Sequence, residues 1–364
     1  MEIHRKDRLV VCSSPNGRGI AKYAEYLREM VEGTLITCDK RTRWFVLWEL
    51  FGILSFTREL VSSKELYFSN SRVSPLLWMV LDWGKVTIVV HDVMDTNAER
   101  RCRRERLGAR MKLRREVNSW ILRRSIQKAS RIIFNSQYTE CEVRRWIDVN
   151  YGRTCVIYPP PSFEKLVTKE RVKAGRERGG KEILKLLTVT GTTKNKAHEA
   201  YKEFHETLEA RVGMRIELVI YGIELRKARG EFTSWAMDRR DRVTVKYGRS
   251  EEELMEDYLD CDIVVSLSTE EGYGMPVADA LGFGIPVIAR SIGSYREIKE
   301  NLDDCGIIHL ADDLGQCVER AAKLISESAG KRGREERYER YRRFCRRNRD
   351  VANSLLEEMA GRYS

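Results

Sequence analysis

The chain has 364 residues, 42% hydrophobic and 33% charged, with only seven prolines and a formal net charge of +11. That length and apolar content exclude a small disulfide scaffold and a disordered chain, and leave room for two domains of about 150–200 residues each. The positive surplus excludes an acidic solvating chain and points to anionic partners: nucleic acid, an acidic membrane face or a phosphorylated small molecule.

In chain order, the first seven residues carry no apolar stretch of signal-peptide type. A β-branched run at 8–12 opens into Ser14-Pro15-Asn16-Gly17-Arg18-Gly19-Ile20 and a helical pattern. Further short apolar runs stand at 34–38, 65–68, 85–90, 131–134 and 155–158. The greasiest window, 44–56, contains Glu49 and is too short to span a bilayer, so no transmembrane helix is expected. The 85–90 run ends in His91-Asp92. Tyr158-Pro159-Pro160-Pro161-Ser162 then forbids both helix and central strand. Runs resume at 184–190, 215–221, 243–245, 262–267, 286–289 and 306–309, and a charged helical tail closes the chain.

Near-continuous apolar strands alternating with helical segments indicate parallel sheets covered on both faces. Twelve such strands exceed one small sheet, so the expected fold is α/β, with two doubly wound Rossmann-like domains facing a cleft. The expected division is an N-terminal domain over 1–160, a linker over 161–182, a second domain over 183–332 and a C-terminal helix over 333–364. The apolar face of that helix is expected from Tyr338, Tyr341, Phe344, Ala352, Leu355 and Leu356. The nine cysteines are odd in number, form no C-x-x-C pair and sit partly inside apolar runs. They read as reduced thiols of a cytoplasmic protein.

The most informative stretch follows the 262–267 strand: Glu270-Glu271-Gly272-Tyr273-Gly274-Met275-Pro276, then a helix that Gly282 and Gly284 are expected to stop. Strand, glycine loop and helix N-terminus in succession offer free amides and a positive dipole end to an anion. Glu271 and Asp279 beside such a site are suited to accepting hydrogen bonds from sugar hydroxyls.

This stretch resembles the E-x7-E element of retaining glycosyltransferases of the two-domain GT-B architecture, group 1 or family 4. Ser268, Glu271, Gly272, Tyr273, Gly274, Met275, Pro276, Asp279, Ala280, Gly284, Pro286 and Val287 are in step with that pattern, with Asp279 standing for its second glutamate. The 248–262 and 291–298 segments are similar to those that flank the element in the family, though the proline of the latter is missing. The loop of Gly17 and Gly19 resembles the family's N-terminal glycine loop, and His91 its strand-end histidine. Gly191 is followed by Thr192 where the family has arginine, which leaves Lys194 or Lys196 for the diphosphate; Arg249 or Lys246 are further sources of positive charge.

The resemblance implies transfer of a hexose such as mannose or glucose, with retention, from a UDP- or GDP-sugar to a glycan or lipid-linked acceptor. It implies that Glu271 and His91 act at the sugar, that Asp279 holds the ribose, and that Gly272, Tyr273, Gly274 and Met275 line the donor site. No cofactor and no metal are expected. Two alternatives are a nucleotide-sugar epimerase of the same fold, and a non-catalytic basic protein on a membrane or nucleic acid.

Between Arg100 and Lys128 twelve Lys or Arg face only Glu105 and Glu116, interleaved with Leu107, Met111, Leu113, Val117, Trp120, Ile121 and Leu122. Such a segment suits an anionic membrane surface, docked through 99–128 at the inner face of the cell membrane, with Trp44, Phe45, Trp48 and Phe51 as further contacts. No nucleic-acid-binding motif is present, so no specific nucleic acid is expected.

Overall fold

The computed structural model of the protein describes residues 8–12, 18–37, 57–69, 73, 75–91, 109–168, 183–190, 197, 199–225, 231–303, 306–327 and 334–361. All twelve expected strands form, in two six-stranded sheets whose pairings are all parallel. The chain divides into two units, Met1–Pro160 with Arg349–Ser364, and Pro161–Asn348.

The first unit holds β1 (Arg8–Cys12), β2 (Thr34–Thr37), β3 (Glu65–Phe68), β4 (Val86–Val90), β5 (Arg131–Phe134) and β6 (Thr154–Val156), in the order β2-β1-β3-β4-β5-β6. Its strands bury both faces. Leu9, Val11, Ile88, Val90, Ile132 and Phe134 pack on one side, and Val10, Cys12, Val89 and Ile133 on the other. The alternation of a pleated strand thus buries every residue of β4, which is why it reads as an apolar run broken only by Thr87. Ala352, Leu355 and Leu356 of the last helix, Arg334–Gly361, join the second of these clusters.

The second unit holds β7 (Leu184–Val189), β8 (Ile216–Tyr221), β9 (Val243–Lys246), β10 (Ile263–Ser266), β11 (Val287–Arg290) and β12 (Ile308–Ala311), in the order β12-β11-β10-β7-β8-β9. Its core gathers Leu186, Leu218, Ile220 and Val265 with Tyr201, Phe204 and Leu208 of the helix Ala200–Val212. Counted from β7, this is the strand order of dinucleotide-binding folds, and the order reverses between β7 and β10.

Phe163 lies in the stretch expected to be linker. It is fully buried in the second unit, against the rings of Tyr258, Phe283 and Tyr341. Residues 161–168 therefore belong to that unit, with Phe163 and Val167 in its core, and 169–182 lie outside the described residues. Gly282 also differs from expectation. It sits inside the helix Met275–Phe283, which Gly284 alone ends, in the left-handed conformation at φ 68°. A Cβ at Gly282 would meet the Phe344 and Tyr341 rings at 2.8 and 2.9 Å, so glycine lets the last helix pack closely there. Among the described cysteines, Cys12, Cys261, Cys317 and Cys345 are buried free thiols, Cys155 is half-buried and Cys141 exposed.

One buried charge cluster ties this unit's sheet to a helix. Asp257, of the helix Glu251–Asp260, accepts hydrogen bonds from Lys185 of β7, Tyr221 of β8 and Lys246 of β9. Burial pushes its carboxyl up, but the bonds from Lys246, Tyr221 and Lys185 outweigh that and hold it below the usual aspartate range. Removing one partner of a buried pair strands the other charge, so Asp257→Ala should cost about 3–5 kcal/mol in urea unfolding. The depressed carboxyl stabilises the fold above the ordinary aspartate pKa, and that share is lost as pH falls through its lowered folded value. The stability gap between wild type and Asp257→Ala should therefore narrow in acid.

Candidate active site

In open parallel sheets, ligands bind outside the carboxyl ends of the strands where the order reverses. In the second unit those strands are β7 and β10, which lead into the two loops singled out from sequence. The loop after β7, with Gly191, Lys194 and Lys196, lies outside the described residues. The loop after β10 runs from Leu267 to Gly274 and carries Glu271, half-buried.

Gly274 ends this loop at φ 109° and is the N-cap of the helix Met275–Phe283, with Pro276 in its first turn. Proline costs nothing there, because the first amides of a helix have no intrahelical partner. No side chain caps this end; Pro276 has no amide hydrogen, and the Val277 and Ala278 amides bond the Gly274 carbonyl oxygen, so what the end offers an anion is chiefly the positive end of the helix dipole. Gly272 is half-buried, Tyr273 is 4% exposed and Met275 is half-buried.

Asp279, expected on a ribose, is employed differently. It is 4% exposed, and its Oδ1 accepts the Ser162 amide at 2.9 Å and the Tyr341 hydroxyl at 3.2 Å. The Tyr341 hydroxyl in turn accepts the Phe163 amide at 2.8 Å. Aspartate is one methylene shorter than the glutamate of the family pattern, and its carboxylate stays inside the fold, where it accepts the Ser162 amide directly and supports the Phe163 amide through the Tyr341 hydroxyl. The reserve cations are also committed, Lys246 to Asp257 and Arg249 to Glu253 at 3.6 Å.

Sequence reasoning missed what lies under the Glu271 loop. Tyr201 is fully buried, and its hydroxyl accepts the Leu267 amide at 3.0 Å. Tyr295, of the helix Gly293–Leu302, is 1% exposed, and its hydroxyl lies 2.6 Å from Ser266 Oγ. Ser266, at the end of the 262–267 run, and Ser268 just after it carry no local sign of a buried partner. Their tyrosine partner sits 29 residues beyond Ser266.

In the first unit, His91 directly follows β4. Its Nε2 lies 2.7 Å from the Ser69 carbonyl oxygen, and its ring meets Tyr23 edge-on at 4.9 Å. A carbonyl only accepts, so Nε2 carries the hydrogen, and the neutral ring keeps a bare lone pair on Nδ1. Burial pulls this imidazole down to about 4, with the Ser69 hydrogen bond opposing, so it is neutral at pH 7. Asn135, which follows β5, donates to the His91 carbonyl at 2.7 Å. Gly19 lies in the helix Arg18–Met30 after β1, while Gly17 is outside the described residues. Among the described residues no group of three or more His, Cys, Asp or Glu could hold a metal ion. None of their helices is long and apolar enough to cross a membrane.

Residues 171–344 match the family described as glycosyl transferases group 1. No curated protein matches the chain by sequence. Among solved structures, Alr3699/HepE of Anabaena, bound to UDP and glucose, is similar with a TM-score of 0.61 and 14% identity, over 98% of this chain and 99% of that one. Sucrose-phosphate synthase of Thermosynechococcus elongatus matches with a TM-score of 0.70 and 13% identity, over 97% and 98%. WaaG, a glycosyltransferase of lipopolysaccharide biosynthesis, matches with a TM-score of 0.64 and 15% identity, over 95% and 98%. At these identities the likeness is one of fold. Over residues 171–344 the chain thus matches the group 1 glycosyltransferases, and its two six-stranded parallel sheets are those of the GT-B fold.

Proposed function

We propose that the chain moves a hexose from a UDP- or GDP-sugar to a glycan or lipid-linked acceptor, with retention of configuration and without a metal. The observation that carries this reading is the Glu271 loop, which follows β10 at the switch point of the second sheet and opens into an uncapped helix N-terminus. Departure of the nucleoside diphosphate builds negative charge. The positive end of the helix dipole and a lysine of the 191–196 loop meet it, a stabilisation that needs no reorganisation at the moment of reaction. Glu271 accepts hydrogen bonds from the donor-sugar hydroxyls and sets the angle at which the anomeric carbon is presented. Neutral His91 offers its Nδ1 lone pair to a sugar hydroxyl, and the departing phosphate takes the acceptor's proton. The UDP and glucose held by Alr3699/HepE are in keeping with such a donor.

The acceptor side of the reading includes an anionic bilayer. The helix Ala109–Lys128 buries Ser119, Leu122, Ser125 and Ile126 and turns Leu113, Val117 and Trp120 outward, 62%, 46% and 50% exposed. Those three lie at i, i+4 and i+7, one stripe of an α-helix. Arg124 extends the same stripe, and Arg123 and Lys128 are exposed beside it. An apolar stripe facing outward with cations around it is the pattern of a helix lying in a headgroup layer.

Three outcomes test these statements. Glu271→Ala should lower transfer by about a hundredfold or more with the melting temperature unchanged, once a thermal-shift panel of UDP-, GDP- and ADP-sugars has identified the donor. Near-normal turnover in that variant would sink the assignment. Excess EDTA should leave turnover intact; loss of activity restored by a divalent cation would refute the metal-free scheme. The protein should float with phosphatidylglycerol vesicles at 0.15 M salt, while Val117→Asp, which breaks the outward stripe, should sediment without them. Equal flotation of both would exclude this face as the contact.

A further inference from the structure

We propose that Tyr295 is a positioning residue for Glu271: one buried side chain holds both ends of the loop that carries the carboxylate. The inference rests on the donor-site reading of Glu271. The loop begins where β10 ends, at Ser266, and finishes at Gly274. At its start, the Tyr295 hydroxyl lies 2.6 Å from Ser266 Oγ, and it also hydrogen-bonds the Ser268 side chain. At its finish, Gly274 rests on the ring of the same tyrosine. A Cβ built on Gly274 would stand 2.3 Å from Tyr295 Cε1 and 2.9 Å from Cδ1. The φ of 109° and the contact together require glycine there, because any side chain would strain the backbone and collide with the ring.

The clamp sits close to the carboxylate. After burial, the charge of Glu271 is the largest influence that pushes the Tyr295 phenol above its ordinary range, and the same charge also raises Tyr201. Tyr201 adds a third hold through its hydrogen bond to the Leu267 amide. Glu271, in the middle of the loop, is half-buried. Slack at either tie is transmitted along so short a loop to its middle. A displacement of about 1 Å at a reacting centre can cost about a hundredfold in rate. The ring and the hydroxyl have separable duties, since the ring fixes the height of Gly274 and the hydroxyl fixes Ser266 and Ser268.

Calorimetry on the full chain tests the clamp, with UDP and UDP-glucose as probes, and with GDP and GDP-mannose where the uridine pair gives no heat. The wild type should bind the nucleotide sugar more tightly than the nucleoside diphosphate, the difference being the hold on the sugar. Tyr295→Phe, which keeps the ring, should shrink that ratio about tenfold while diphosphate affinity stays within about twofold. Ser266→Ala removes the same hydrogen bond from the other side and should reproduce the effect. The two changes together should do no more than either alone. In a Glu271→Ala background the ratio should already be lost and Tyr295→Phe should add nothing. An unchanged ratio in both Tyr295→Phe and Ser266→Ala would overturn the proposal. So would an equal fall of both affinities, which is general loosening, or a further fall in the Glu271→Ala background. A Glu271→Ala variant that keeps the full wild-type ratio would instead overturn the reading of Glu271 on which the clamp depends.

Discussion

Parallel strands cannot be joined by a tight hairpin. Each must be followed by a crossover that returns the chain to the starting edge of the sheet, and the crossover is usually a helix. Every feature of functional interest here depends on that constraint, applied once in each unit. Crossover helices cover both faces, so the strands become apolar at most positions and the faces are closed to ligands. What stays open is the carboxyl edge, where each strand must hand over to a loop. In the second unit the crossovers part in opposite directions between β7 and β10, and the loops there have room to hold a ligand. Glu271 follows from this geometry: it is on the loop that leaves β10 at the parting.

The helix that begins at Gly274 pays for its open N-terminus with burial elsewhere. From Val277 to Phe283 every residue is buried. Phe283 stacks on Tyr341 at 4.1 Å, and Phe163 and Tyr258 complete the aromatic cluster. Asp279 lies beside this cluster as a carboxylate with few polar neighbours, satisfied by one amide and one hydroxyl. A buried acid without such donors would be costly, so Tyr341 and segment 161–168 are needed by Asp279 as much as they use it. The helix start, the segment after the proline run and the part of the last helix that carries Tyr341 thereby pack together within the second unit.

Charge is distributed unevenly between structural and surface duties. In the second unit Lys185 and Lys246 are drawn inward to Asp257, where they support the sheet and are unavailable to phosphate. In the first unit the helix Ala109–Lys128 turns Arg123, Arg124 and Lys128 outward beside an exposed apolar stripe. The net surplus of +11 therefore says little about phosphate binding and more about surfaces.

The amino-acid sequence by itself determined the twelve strands, their parallel pairing and the position of the Glu271 loop. Those properties are written locally: a strand buried on both faces is apolar at most positions, and glycine in the loop that follows lets the backbone approach a ligand. The tertiary structure alone decided the fate of Asp279, Phe163, Gly282 and Tyr295. Each takes its role from a partner far along the chain that its local sequence does not name, Tyr341 for the first three and Gly274 with Ser266 for the last. Burial and hydrogen bonding are set by what packs against a residue, and that choice is made only when distant elements meet.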